Sequence, residues 1–162
     1  CGREEPFEFP ALRIREPVAL IGVSSARPTL PLSAAGRIGA AQLRRLAGLL
    51  EKTARLKLFR VLLLHHPPAF GRVPRRKALA DAEELGAIIR RYGVELILHG
   101  HSHRLSRAEL DGPAAPVPIL GVSSATATSG RPSHRAAFRL IRIGRTSHGW
   151  DARVADHLLP NA

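Results

Sequence analysis

The sequence predicts an α/β fold in which parallel strands are followed by an antiparallel meander. Three patterns predict it: continuous apolar runs typical of strands buried on both faces, intervening segments with apolar residues at helical spacing, and late short segments separated by glycine and proline. The chain has 162 residues, a length that suits one domain, so we expect residues 1–162 to form a single domain.

The first two thirds of the chain predict alternating strands and helices. Residues 1–16 are polar and interrupted by proline, and they predict a loop or linker. The elements predicted after it are a strand at 18–23, a helix at about 38–55, a strand at 59–64, a helix at about 78–91 and a strand at 94–98. Because strand, helix and strand follow one another from residue 59, the last two strands should run parallel with a right-handed connection.

The last third of the chain changes character after residue 103. Four short segments are separated there by glycine and proline, at 105–110, 117–123, 136–143 and 147–154. Such spacing is typical of antiparallel strands joined by turns, and it predicts the meander.

Composition excludes several classes of protein. The hydrophobic fraction of 44% is too high for a disordered tail, and no apolar run approaches the ~20 residues that span a bilayer. We therefore expect no membrane association. The single cysteine, Cys1, cannot form an intrachain disulfide, and the first residues contain no apolar signal-peptide core, so we expect a cytoplasmic protein.

The chain is strongly basic, with 25 Lys+Arg against 13 Asp+Glu and a formal net charge of +12. Almost all of the excess is arginine, which suits recognition of phosphate. The arginines occur as scattered doublets with few aromatic residues between them to stack bases, so we do not expect nucleic-acid binding as the primary role.

Histidines gather at the ends of two predicted neighbouring strands. His65 and His66 follow one strand, and His99, His101 and His103 follow the next. The carboxyl ends of parallel strands are where α/β sheets place ligands, and imidazole is a common ligand of Zn, Fe and Mn. The pattern predicts a metal site. Three further histidines, scattered through the last third, are expected to have no such role.

Two sequence motifs carry a family resemblance. The His-His-Pro-Pro run at 65–68 and the Gly-His-Ser-His run at 100–103 resemble the last two motifs of the calcineurin-like metallophosphoesterases. The chain is most similar to the bacterial branch related to class III cyclic-nucleotide phosphodiesterases, from about residue 9 to residue 154. The resemblance implies the C-terminal part of a β-sandwich flanked by helices, with two metal ions (Mn, Fe or Zn) at the strand ends.

The same resemblance implies roles for individual histidines. His65 and His101 would bind one metal ion and His103 the other, and the two ions would activate a water to hydrolyse a phosphomonoester or phosphodiester. The substrate would be a small phosphoester or a nucleotide. His66 and His99 match no ligand position, so they are candidates for substrate contacts, for supporting the ligands or for a structural role. Arg75 and Arg76 could meet a phosphate, although a solvated loop is the simpler expectation.

The chain departs from that family in its missing motifs. The earlier D-x-H, G-D-x-x-D and G-N-H-D/E motifs supply a bridging aspartate, an asparagine ligand and a catalytic histidine, and none of them occurs here. Asp81 is expected inside a helix, and Asn161 is at the far C-terminus. The chain also contains no methionine, so we expect it to be the C-terminal half of a longer enzyme. Alone it should bind metal weakly, have no assignable catalytic residue, turn over little or nothing, and expose an apolar face.

Two other functions are open on the sequence alone. A non-catalytic protein could use His65, His101 and His103 to hold a single structural or regulatory ion, and its folding would then depend on metal. A basic nucleic-acid-binding module would instead lose affinity steeply with salt and ignore chelators. The sequence does not fix the substrate, the metal or the oligomeric state.

Overall fold

The computed structural model describes residues 8–28, 34–68, 75–127, 134–147 and 149–159. Within those ranges the elements are β1 (Ala11–Arg15), β2 (Val18–Gly22), α1 (Ala40–Arg55), β3 (Phe59–Leu64), a 3-10 turn (Arg75–Lys77), α2 (Ala82–Tyr92), β4 (Leu96–His99), β5 (Ser106–Leu110), β6 (Val117–Gly121), β7 (Ala137–Thr146) and β8 (Gly149–Leu158). The predicted α/β class is confirmed. Within the described ranges, no helix is long and apolar enough to cross a membrane.

Six strands form one sheet in the order β1-β2-β3-β4-β6-β5. The four inner strands β2, β3, β4 and β6 are parallel, and each edge strand runs antiparallel to its neighbour. The strands β7 and β8 pair with each other as a separate antiparallel hairpin. The predicted parallel pairing of β3 with β4 is confirmed.

The prediction of antiparallel strands after residue 103 is confirmed by the pairings of β5 with β6 and of β7 with β8, but these strands are divided between two sheets. The strand β6 pairs in parallel with β4 as well as antiparallel with β5, so it belongs to the centre of the large sheet. Glycine and proline spacing reports where strands end, whereas the choice of partner depends on which faces are buried. Because β6 is buried along most of its length, it fits a central position better than an edge.

Residues 11–15 were also wrongly expected to be loop. They form β1, an edge strand that pairs with β2 from Ala11↔Gly22 to Arg15↔Val18. Pro10 and Pro17 lie just outside β1, where a missing N–H removes no bond from the sheet. The prolines therefore bound a strand here, although the sequence reading took them as signs of a linker.

Both helices begin later than predicted, α1 at Ala40 and α2 at Ala82. The backbone before α1 is held by hydrogen bonds to one aspartate, Asp81. The carboxylate of Asp81 is buried and accepts hydrogen bonds from the backbone N–H groups of Ile38 (3.0 Å) and Gly39 (2.7 Å). Asp81 precedes α2 at its N-cap position, so the expectation that it lies inside a helix was wrong. It joins the segment before α1 to the start of α2.

The helices and the hairpin cover opposite faces of the sheet. Under α1 and α2, alternate strand residues form the larger core with the apolar sides of the helices, and its members include Ile21, Leu46, Leu50, Leu62, Leu85, Ile89, Ile97 and Ile119. On the other face, Phe59 meets Trp150 of the hairpin edge-to-face with ring centroids 5.6 Å apart. Leu20, Leu63 and Leu98 on that second face are only partly buried.

Candidate metal centre

The pairing of β3 with β4 brings the two histidine runs together. Leu64, the last residue of β3, lies opposite His99, the last residue of β4. The pairing continues past both strands, because the Gly100 N–H donates to the His65 carbonyl at 3.2 Å. The residues that follow each strand, His65 and His101, therefore meet at the carboxyl edge of the sheet.

His65 and His101 bring two ring nitrogens together. His65 Nε2 and His101 Nδ1 are 3.2 Å apart. Imidazole nitrogens bind zinc at about 2.0–2.1 Å, which puts two nitrogens of one tetrahedral ion about 3.3 Å from each other. The pair is therefore spaced as two ligands of a single ion would be.

The environment of His101 keeps it neutral and leaves one nitrogen free. Burial, followed by the nearby charges of His66, His65, Lys77 and His103, lowers the pKa of His101 to about 4. Within the described ranges its buried Nε2 has no hydrogen-bond partner, and its backbone has a φ of 65°. A neutral imidazole is the form that binds metal ions. If His101 binds through Nδ1, the nitrogen that faces His65, its Nε2 carries the proton and is the donor without a partner among the described residues.

His66 belongs to the same group, but both nitrogens of its ring already have hydrogen-bond partners. His65, His66 and His101 can each offer a nitrogen so that all three lie within 4.8 Å of one another. The buried ring of His66, however, has Nδ1 2.8 Å from the Ser25 hydroxyl and Nε2 3.0 Å from the Ala34 carbonyl. Burial lowers the pKa of His66, so the ring is neutral as well.

His103 and His99 lie at the margin of this group. His103 is exposed, has a φ of 47° and is not one of the three histidines that converge, although its charge contributes to the low pKa of His101. His99 is buried, and its Nδ1 lies 2.9 Å from the Gly100 carbonyl. Its ring lies against Gly121 of β6, where a β-carbon would overlap it, so it packs under the edge of the sheet.

The basic turn borders the cluster. The backbone N–H of Ala34 donates to the Arg76 carbonyl at 2.8 Å, which ties the turn to the segment that contacts His66. The side chains of Arg76 and Lys77 are exposed, and the charge of Lys77 lowers the pKa of His101. The side chain of Arg75, named with Arg76 as a candidate phosphate contact, lies outside the described residues.

Two residues that support this edge were missed by the sequence reading. Ser25 is buried against His66, and Gln42 of α1 holds the chain beside it by accepting from the Ser24 N–H at 2.7 Å and donating to the Ser24 carbonyl at 2.9 Å. The available signal was the pair of serines directly after a buried strand. Of the remaining histidines, His157 stacks on Phe138 of the hairpin, and His148 lies outside the described residues.

The donor set suits a transition metal more than magnesium or calcium. The three converging residues are all histidines and include no carboxylate. Imidazole suits Zn and Fe, whereas hard cations need oxygen ligands. The residues fit one ion held through nitrogen.

Comparison with known proteins finds similarity in structure alone. No family model and no curated protein matches the chain. Among solved structures, it is similar to GAP50, the anchor in the inner membrane complex of Plasmodium, with 14% identity and a TM-score of 0.56 over 90% of this chain and 50% of that one. It also matches a dimetal phosphatase from Danio rerio, with 15% identity and a TM-score of 0.49 over 78% of this chain and 40% of that one.

A third match is a double mutant of Vps29 from Entamoeba histolytica, with 16% identity and a TM-score of 0.28 over 70% of this chain and 76% of that one. The GAP50 match, with its TM-score of 0.56 and 14% identity, supports a common fold and no more. The chain spans 50% of the length of GAP50 and 40% of the length of the dimetal phosphatase.

Proposed function

We propose that the protein is a metal-dependent phosphoesterase, acting on a phosphodiester or phosphomonoester, whose metal site is built on His65 and His101. The observation that carries this proposal is the 3.2 Å approach of their ring nitrogens at the carboxyl ends of two adjacent parallel strands. The resemblance of the runs at 65–68 and 100–103 to calcineurin-like metallophosphoesterases supports the reaction class.

The residues of this chain have definable tasks in such a reaction. His65 and His101 would hold an ion through neutral nitrogens, and burial keeps His101 in that form by lowering its pKa to about 4. Metal ions in two-metal sites supply a water of lowered pKa and stabilise the charge on the phosphate oxygens. His103, which follows His101 on the same run, would serve a second ion. The cationic Lys77 beside the cluster would attract the phosphate of a small phosphoester or nucleotide.

Carboxylate ligands are the part of the site that these histidines do not provide. The sequence lacks the family's D-x-H, G-D-x-x-D and G-N-H-D/E motifs, and its converging group is made of histidines. We propose that the bridging carboxylate comes from a segment beyond the 162 residues, so that the whole enzyme is active and this chain alone is not. The cytoplasmic location stays a prediction from the sequence.

Metal titration of the purified chain tests the site directly. Zinc binding followed by calorimetry should weaken more than about 100-fold in His101→Ala, because removing a group that only supports a ligand already costs about 10–100-fold. His157→Ala is the matched control, since this exposed ring stacks on Phe138 in the hairpin. Equal affinity in His101→Ala and the control would contradict the site.

Turnover tests the reaction class and the incompleteness of the site separately. With Mn²⁺ and bis(p-nitrophenyl) phosphate, the chain alone should release little or no nitrophenol. A monodisperse monomer that hydrolyses the ester would show that no further carboxylate is needed. A longer protein with the missing motifs that binds zinc but hydrolyses no phosphoester would overturn the proposed reaction.

A non-catalytic, single-ion role is the second candidate. The all-histidine character of the converging group favours it, because such a group fits one ion. This function predicts one tightly held ion per chain and a large fall in melting temperature when a chelator is added. The phosphoesterase proposal predicts weak binding and a melting temperature that changes little with chelator.

A further inference from the structure

We propose that His66 is a positioning residue that holds His65 and His101 in ligand geometry without binding the metal itself. This inference rests on the proposed metal site at His65 and His101. It assigns a task to a histidine that shares their cluster and matches no ligand position.

The hydrogen bonds of His66 fix which of its nitrogens carries the proton. The Ala34 carbonyl is only an acceptor, so Nε2, 3.0 Å away, must be the protonated nitrogen of the neutral ring. The lone pair of Nδ1 then accepts from the Ser25 hydroxyl at 2.8 Å. Both nitrogens are used, and neither is free to coordinate an ion without losing a partner.

The ring of His66 also forms the wall on which the two candidate ligands rest. Its centroid lies 4.9 Å from that of His65, edge-on at 87°, and 4.5 Å from that of His101. A β-carbon at Gly36 would overlap three atoms of the ring, so the backbone there also fits closely against it. A ring in close contact with its neighbours and held at both nitrogens is a rigid support.

Hydrogen bonds extend this support to the neighbouring segments. The Ala34 carbonyl accepts a hydrogen bond from His66 Nε2–H, and the Ala34 N–H donates to the Arg76 carbonyl in the basic turn. Ser25 follows β2, so His66 connects the ends of β2 and β3 with the turn at 75–77. Displacing His66 would therefore disturb the ends of β2 and β3 and the turn at 75–77 at the same time.

The competing assignment makes His66 a third ligand, since its ring lies within the converging group. Coordination through Nδ1 would expel the buried Ser25 hydroxyl from its hydrogen bond, and coordination through Nε2 would break the bond to Ala34. Leaving a buried polar group unpaired is destabilising. Coordination by His65 and His101 would exchange their own 3.2 Å hydrogen bond, which is exposed to solvent, for bonds to the ion, so no buried partner would be left unpaired.

Ser25→Ala separates the two assignments without removing any imidazole. If His66 positions the pair, loss of the hydroxyl frees its ring to turn, and zinc affinity should fall about 10-fold. If His66 is a ligand, the variant releases Nδ1, and the affinity should rise or stay the same. Ser123→Ala is the matched control, because Ser123 is also buried and its hydroxyl donates to the Arg135 carbonyl.

Long-range ¹H–¹⁵N spectra of the imidazoles at one pH give a readout independent of affinity. Zinc should shift one nitrogen each of His65 and His101, while His66 keeps its Nε2–H form in the free and the loaded protein. A zinc-induced shift at a His66 nitrogen, or undiminished affinity in Ser25→Ala, would overturn the proposal.

The same spectra distinguish failure of the metal site from failure of the positioning role. If zinc shifts none of the three rings, the proposed function fails. The positioning role is then judged on the metal-free protein, where Ser25→Ala should change the nitrogen shifts of His65 and His101 by breaking their 3.2 Å contact. Unchanged shifts in that variant would refute it.

Discussion

The strands β3 and β4 carry a polar cluster at each end, and the two clusters differ in how fully they are paired. At the amino end, the buried Arg60 forms an ion pair with the partly buried Glu95, with N–O distances of 2.7 and 2.9 Å, and Arg60 also donates to the Tyr92 carbonyl at 2.9 Å. At the carboxyl end, His101 Nε2 and Ser102 Oγ are buried and, within the described ranges, without a partner.

The difference distinguishes polar groups that stabilise from polar groups kept for a ligand. The guanidinium of Arg60 has carboxylate and carbonyl acceptors around it, so its burial is compensated. Folded proteins pair nearly all their buried polar atoms, and exceptions concentrate where function requires them. On this criterion the groups at the carboxyl end that have no partner in the described part of the chain support the metal site proposed there.

Removal of Arg60 should have the largest effect on stability. Arg60→Ala leaves Glu95 partly buried without its cation, which costs about 3–5 kcal/mol in fully buried pairs. Because the Glu95 side chain is 23% exposed, we expect the lower end of that range in urea unfolding. Arg55→Ala is the control, since its ion pair with Glu51 is exposed and worth less than about 1 kcal/mol. Equal losses in the two variants would contradict the contrast between buried and exposed pairs.

Gly36→Ala should damage the carboxyl end alone. The added methyl overlaps the His66 ring, and overpacking of this kind costs about 1–3 kcal/mol. Zinc affinity should fall with it, because His65 and His101 rest on that ring. Gly48→Ala is a matched control with the opposite sign: a β-carbon there meets nothing within 4 Å, and alanine stabilises a helix interior by about 1 kcal/mol. If Gly36→Ala binds zinc as well as Gly48→Ala does, the close fit around His66 has no bearing on the site.

The smallest effect concerns Asp156, which helps to attach the hairpin beside the carboxyl end. Arg139 donates to Asp156 at 2.6 Å and to the Ser106 carbonyl at 3.0 Å, and its hydrogen bond lowers the pKa of Asp156. The resulting stability is present above the unfolded pKa of about 3.9 and is lost as pH falls through the lower folded value. Asp156→Asn should therefore cost less than about 1 kcal/mol at pH 7 and almost nothing in strong acid.

Urea unfolding at pH 7 and in strong acid measures how the free-energy cost of Asp156→Asn changes with pH. The exposed Asp111, replaced by asparagine, provides the comparison for a carboxylate at the surface. A cost in Asp156→Asn that grows on acidification would reverse the expected sign and contradict the ion pair.

The inner strands and both helices could be predicted because their signals are local. Continuous apolar runs marked β2, β3 and β4, and helical spacing of leucines marked α1. The strand β1 and the position of β6 could not, because an edge strand bounded by prolines resembles a linker, and partner choice depends on residues far along the chain.

The candidate site shows the same division. The convergence of the strand-end histidines could be predicted, since parallel strands bring their carboxyl ends to one edge of the sheet. The state of His66 was not, because Ser25 and Ala34, which occupy its two nitrogens, lie 41 and 32 residues away in sequence. Likewise nothing local indicated that Asp81 faces backbone amides 43 and 42 residues before it.

The Asp81 carboxylate also has a consequence for how the molecule opens. Its oxygens accept from the backbone just before α1, while its own carbonyl accepts from the Leu85 N–H in the first turn of α2. If either helix detached alone, a buried charge or two buried amides would lose their partners. Detaching one helix alone would therefore cost nearly as much free energy as detaching both. The two helices should leave the sheet as one cooperative unit.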